Sequence, residues 1–301
     1  MFCRPKDLAT ANATNPMKNI ILDTDIGTDS DDIGAVSIIC NLHRQGKINL
    51  LAVTSTSSTL EPVYTVDLIA ECYGVSVPIG KNEFTYADDA EHGDYARKIC
   101  KQYHSRLEGK QIPTATKVLR KALTQGNVTL VTIGPLINIA TLLDSPADEI
   151  SPLTGKELVA KNVTEMYVMA GTFTNDWTEF NVKENVAAFN KMLDEVTCPM
   201  TFIPWEVGAL VKTATNFLNG EDCPMKLGYY VHNGGPRESW DPITAYCAAV
   251  ECLPTSDWGI VTSDENGVTR YKQSDGNRRY VTTDFDVADV TAKLEQLMVK
   301  I

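Results

Sequence analysis

Between Asn19 and Ile39 the chain reads NIILDTDIGTDSDDIGAVSII, and five aspartates (Asp23, Asp25, Asp29, Asp31 and Asp32) crowd into ten residues of it. The apolar triplet Ile20-Ile21-Leu22 precedes them, and Ile33, Val36, Ile38 and Ile39 follow. This pattern predicts a short buried strand, a glycine-bearing acidic loop and a helix. Carboxylates at the carboxyl end of a strand sit where open α/β sheets bind their ligands. Asp23 and Asp25 are two apart, which starts them on one face and aims both at one site. Asp31 and Asp32 open the helix, whose positive end favours anions. Charges this dense repel one another, and a hard divalent cation is the simplest neutraliser. The bland alternative is a solvated loop with Asp29 or Ser30 as a helix cap.

The rest of the chain fits one α/β fold. Strand-like runs at Ile48–Thr54, Val75–Ile79, Val128–Ile133, Glu165–Met169 and Met200–Trp205 alternate with helical segments such as Pro62–Tyr73, Ala115–Leu123, Val186–Val196 and Pro242–Leu253. Alternation of this kind predicts a single large domain with a mostly parallel open sheet, helices on both faces and a Rossmann-like core. The Ser-Asp-Gly-Asn turn within Thr269–Tyr280 predicts a late hairpin. Residues 1–18 are mixed and polar and read as a leader; the domain is assigned to 19–301.

Composition narrows the function. A formal net charge of -12 offers no basic stripe for nucleic acid. No apolar run nears the roughly 18 to 20 residues of a membrane helix. The 8 cysteines show no C-x-x-C spacing, which argues against a thiolate zinc site and for a reducing, cytoplasmic setting. An EF-hand is excluded because, counting from Asp23, Gly27 and Gly34 fall where that loop needs oxygen ligands. Asp23-Thr24-Asp25 also suits a Mg2+ phosphotransferase of the haloacid-dehalogenase type, with Asp23 as nucleophile.

Asp-x-Asp-x-Gly followed by Asp-Asp resembles the signature of the inosine-uridine-type nucleoside hydrolases. Three later stretches carry the same resemblance: Thr132-Ile133-Gly134-Pro135, Met169-Ala170-Gly171 with Glu179-Phe180-Asn181, and Ser239-Trp240-Asp241-Pro242. The resemblance spans roughly Asn19 to Leu253. It implies Ca2+ held by Asp25, Asp32, Asp241 and the backbone carbonyl of Ile133. It implies Asp25 as the base that activates water, and Asp31, Asn175, Glu179 and Asn181 on the ribose. Trp240 stands where many members have a histidine, as in the purine-preferring branch, where an indole stacks on the base. The implied reaction is hydrolysis of a ribonucleoside, or another small ribosyl compound, to base and ribose. The implied setting is purine salvage, and the implied assembly a homodimer or homotetramer.

This chain also departs from the family pattern. Its acidic loop is two residues longer than the common Asp-x-Asp-Pro-Gly-x-Asp-Asp form, which leaves Asp29 as an alternative to Asp25 or Asp31. The usual Asn after the second strand is absent from Ser55–Thr59. With Trp240 unable to give up a proton, His232 is the nearest candidate acid in sequence, although a lone histidine is more often structural. A ribosyl-binding protein without turnover is the second reading.

Overall fold

The computed structural model describes residues 17–84 and 94–299. The first half of the chain runs β1 (Lys18–Thr24), α1 (Asp31–Arg44), β2 (Ile48–Ser55), α2 (Glu61–Cys72), β3 (Ile79–Lys81), α3 (Asp94–Gln102), α4 (Ala115–Leu123), β4 (Val128–Thr132) and α5 (Ile137–Asp144). Next come α6 (Gly155–Asn162), β5 (Val163–Met169), α7 (Phe180–Glu184), α8 (Val186–Glu195), β6 (Met200–Ile203) and α9 (Trp205–Gly208). The last part holds β7 (Lys212–Thr213), α10 (Thr215–Asn219), α11 (Pro224–His232), β8 (Arg237–Glu238), α12 (Trp240–Ala249), β9 (Gly259–Ser263), β10 (Thr269–Gln273), β11 (Arg278–Tyr280) and α13 (Val287–Met298). The proposed leader lies outside the described residues up to residue 16, and Lys18 already belongs to β1.

Nine strands form one sheet in the order β10-β9-β11-β6-β5-β4-β1-β2-β3, in which β9 alone runs antiparallel to its neighbours. This is the α/β class and the parallel open sheet expected from the alternation. β1 lies at the centre between β2 and β4, and both pairings are parallel. Its side chains alternate: Ile20 and Leu22 enter the apolar layer on one face and Ile21 enters the layer on the other. All three are fully buried, worth about 1.5–3 kcal/mol each. The chain leaves β1 toward β2 and β3, then returns to the other side as β4. That reversal opens a crevice at the carboxyl ends of β1 and β4, the usual ligand position in such sheets.

Local chemistry moved three predicted elements. The expected strand Val75–Ile79 is shifted, because Pro78 has no N–H to give a ladder and pairing with β2 starts at Ile79. The expected hairpin within 269–280 does not close on itself: β9 lies between β10 and β11 and pairs with both. Glycine at 259 permits this, since a Cβ there would sit 2.2 Å from the carbonyl oxygen of Lys272. β6 ends at Ile203, and Trp205 starts α9 rather than closing a strand. All described cysteines are free thiols, and no described helix is long and apolar enough to cross a membrane.

Candidate active site

The crevice holds a cavity of about 280 Å3 whose wall is drawn from the β1–α1 loop, the ends of β4 and β5, and the starts of α7, α9 and α12. The acidic loop is shaped by its glycine and by α3. Gly27 has φ 118°, which favours glycine, and its N–H donates to the Tyr95 hydroxyl at 2.5 Å. That hydroxyl donates onward to the Asp29 carbonyl at 2.8 Å. Beyond this turn α1 begins at Asp31, so Asp31 and Asp32 sit at the positive end of a helix. Asp241 lies in the first turn of α12, and its N–H donates to Asp31 Oδ2 at 3.0 Å. Two helix N-termini and the end of β1 thus meet over one point.

Carboxylate oxygens of Asp25, Asp32 and Asp241 lie within 4.8 Å of one another there. The Thr24 hydroxyl bonds one oxygen of Asp32, while its Oδ2 is buried with no hydrogen-bond partner. An orphaned oxygen beside two further carboxylates fits a hard cation, and the all-oxygen donor set suits Ca2+ or Mg2+. The backbone at Gly134 closes on this point: a Cβ there would lie 2.8 Å from Asp25 Oδ1. Next to it, Ile133 lines the cavity at the end of β4.

Burial sets the charge state of this floor. It raises Asp25 to about 7, helped by Asp29 and Glu179 and opposed by the Thr28 hydroxyl. It raises Asp31, Asp32 and Asp241 well above the ordinary carboxylate range, and each of these is raised further by neighbouring aspartates. Glu179 is raised to about 7 by burial although its oxygens accept the N–H groups of Gly171, Asn181 and Val182. Those bonds make it the N-cap of α7. Asn181 gives its amide to the Met169 carbonyl at 3.0 Å and so has its carbonyl oxygen left for a ligand.

The mouth is built differently. Arg237 forks Asp29 through Nε and Nη2, at 2.6–3.0 Å, and lies 5.1 Å from the centre of the Trp240 ring. His232 Nε2 is 3.2 Å from Asp29 Oδ1. Burial would raise Asp29, but His232 and Arg237 hold it down to about 2. Trp240 donates its indole N–H to the Trp205 carbonyl at 2.8 Å, and the two rings stack with centroids 6.4 Å apart. Trp177 meets Trp205 edge-on at 5.2 Å.

The structure brings Asp25, Asp31, Asp32, Ile133, Glu179, Asn181, Trp240 and Asp241 to one cavity wall. Asn175 is not on it; its amide donates to the Thr172 and Thr174 hydroxyls instead. Asp29 reaches the wall as the partner of Arg237, not as a member of the three-carboxylate group, and His232 is off the wall. Asp23 and Asp25 do not converge: β1 ends at Thr24 and turns. Asp23 is fully buried on Thr54 and Asn138, and burial raises it to about 7 against those two bonds. Sequence reasoning missed Arg237, Trp205 and Thr28. Closeness to Ser239-Trp240-Asp241 was the one available signal for Arg237.

Comparison with known proteins adds the following. The sequence model of a family described as inosine-uridine preferring nucleoside hydrolase matches residues 20–270. Among solved structures, an inosine-guanosine nucleoside hydrolase superposes with a TM-score of 0.68 at 17% identity, covering 94% of this chain and 98% of that one. The type III effector protein XopQ, solved with adenosine diphosphate ribose, gives 0.69 at 13% identity, with 94% of each chain covered. The effector protein XOO4466 gives 0.67 at 12%, covering 94% of this chain and 93% of that one. At these identities the structural likeness concerns the fold. No curated protein matches the sequence.

Proposed function

The chain belongs to the inosine-uridine preferring nucleoside hydrolase family, and from that premise we propose that it hydrolyses the N-glycosidic bond of a ribonucleoside, with preference for a purine, to free base and ribose. One observation carries the reading: Asp25, Asp32 and Asp241 place carboxylate oxygens within 4.8 Å of one another on the cavity floor. Together with the Ile133 carbonyl they form the donor set that would hold Ca2+. When bound, Ca2+ supplies positive charge that acidifies water and polarises sugar hydroxyls.

The remaining work falls to the chain. Asp25 takes the proton of the attacking water, and its Thr28 bond fixes the carboxylate for that task. Asp31 and the carbonyl oxygen of Asn181 orient the ribose hydroxyls. Glu179, locked on three backbone N–H groups, sets the position of Asn181 and adds negative potential as the sugar becomes cationic. Trp240 and the more exposed Trp205 ring stacked with it offer an aromatic surface for the base. A cytoplasmic homodimer or homotetramer acting in purine salvage completes the proposal, and light scattering after size exclusion tests the assembly.

A second reading, a ribosyl-binding protein without turnover, is favoured by the engaged indole N–H of Trp240, which cannot assist the departing base. The effector XopQ, solved with adenosine diphosphate ribose, belongs beside that reading. The phosphotransferase alternative is disfavoured, because its nucleophile Asp23 is fully buried and off the cavity wall. Ribose release from a purine nucleoside by the wild type and by Asp25→Ala decides between hydrolysis and binding. Hydrolysis predicts a loss of about 10³-fold in the variant; tight ligand binding without ribose from either protein selects the second reading.

A further inference from the structure

Six carboxylates and a single permanent cation, Arg237, line the cavity among the described residues. Breaking the glycosidic bond sends its electron pair to the base, so the base must be protonated or its charge must be met by a cation. Beyond the carboxylates assigned to the metal and the ribose, the wall has no proton donor to spare. Trp240 spends its N–H on the Trp205 carbonyl, and Glu179 accepts three backbone N–H groups. The Thr28 hydroxyl is engaged with Asp25, and His232 does not reach the cavity. The Trp205 indole is neutral and far too weak an acid to give up its proton.

Arg237 is placed to meet that charge. It comes from β8, beside the indole of Trp240, with its ring distance of 5.1 Å. Asp29 and Glu238 occupy Nε and one hydrogen each of Nη2 and Nη1. A guanidinium has five N–H groups in a fixed fork. Two of them are therefore left, and no hydrogen bond to a described residue uses them. Asp29, supplied by the lengthened acidic loop, holds the fork in place from 208 positions away in the chain.

We propose that Arg237 is the leaving-group specificity residue, and that the site takes ribosyl compounds whose aglycone departs as an anion. This rests on the hydrolase reading of the same site. The step balances as follows. The hydroxyl of water bonds to the anomeric carbon and its proton goes to Asp25. The C–N pair leaves with the base, whose negative charge meets the two N–H groups of Arg237. The base then takes a proton from solvent, and Asp25 releases to solvent the proton it took from water. Asp29 is the positioning residue of this arrangement.

The test compares inosine with 7-methylinosine, at a pH low enough to keep N1 of the methylated base protonated so that this cationic base departs neutral, in the full-length Ca2+-loaded protein. Arg237→Met is expected to lower kcat/KM for inosine by about 10²-fold and for the methylated nucleoside much less, shifting their ratio at least about tenfold. Arg237→Lys, which keeps the charge without the fork, recovers part of that ratio. Because the readout is a ratio within one preparation, partial unfolding lowers both rates alike and leaves it fixed. Equal losses on the two substrates, with a turning-over wild type, overturn this proposal alone. A wild type that cleaves neither nucleoside overturns the hydrolase reading and this proposal with it.

Discussion

Aspartates at the floor of the cavity and at its mouth are shifted in opposite directions by their surroundings. Asp25, at the floor, is pushed up to about 7 by burial among other carboxylates. Asp29, four residues on, is held at about 2 by His232 and Arg237 despite its burial. At the mouth Asp29 meets its counter-ions, Arg237 and His232, directly. The floor has no such partner among the described residues, and its Asp32 keeps a buried oxygen with no hydrogen-bond partner there. The difference separates a mouth whose charges are met within the chain from a floor whose three carboxylates, Asp25, Asp32 and Asp241, could hold a metal ion.

Several substitutions probe that contrast. The largest effect belongs to the floor: Asp32→Ala should abolish Ca2+ binding by calorimetry and lower kcat by about 10³-fold or more. Gly134→Ala places a Cβ 2.8 Å from Asp25 Oδ1; it should cost about 10- to 100-fold in kcat while Ca2+ binding, measured in parallel, falls less. At the mouth, Trp205→Ala should raise KM about tenfold through lost stacking, with kcat nearly kept.

Stability against pH separates the two regions by sign. In chelated protein, Asp25 has a folded value of about 7 against 3.8 unfolded. Its folded state binds the proton more tightly, so its contribution is fully present below about pH 3.8 and is lost as pH rises through about 7. Asp29, at about 2 against 3.8, contributes stability above about 3.8 that is lost as pH falls through about 2. Asp25→Asn should therefore raise the melting temperature of the chelated protein at pH 8, and Asp29→Asn should lower it. Both shifts in the same direction would break the comparison. The smallest effect is expected of Asn175→Ala, within about twofold in KM, as for other changes away from a site.

The sequence made the floor readable and left most of the mouth dark. Ile20, Ile21 and Leu22 followed by clustered aspartates announced a central strand and a ligand loop, and β–α alternation announced the sheet. Local pattern suffices where one segment supplies both strand end and helix start. It fails where partners come from far apart. Nothing near Asp29 in sequence marks Arg237 as its partner, and nothing around Pro204 shows that Trp205 turns into α9 beneath Trp240. The hairpin expected at 269–280 failed for the same reason, because β9 was not foreseen between its arms. Asn175 came from the family resemblance alone, and here its amide meets the nearby Thr172 hydroxyl.

The most direct test of the central claim is ribose release from a panel of purine and pyrimidine nucleosides, with and without a chelator. A site completed by a cation predicts release from at least one nucleoside, abolished by chelation and restored by Ca2+. Release that survives complete chelation, or none from any nucleoside with Ca2+ bound to the folded protein, would contradict it.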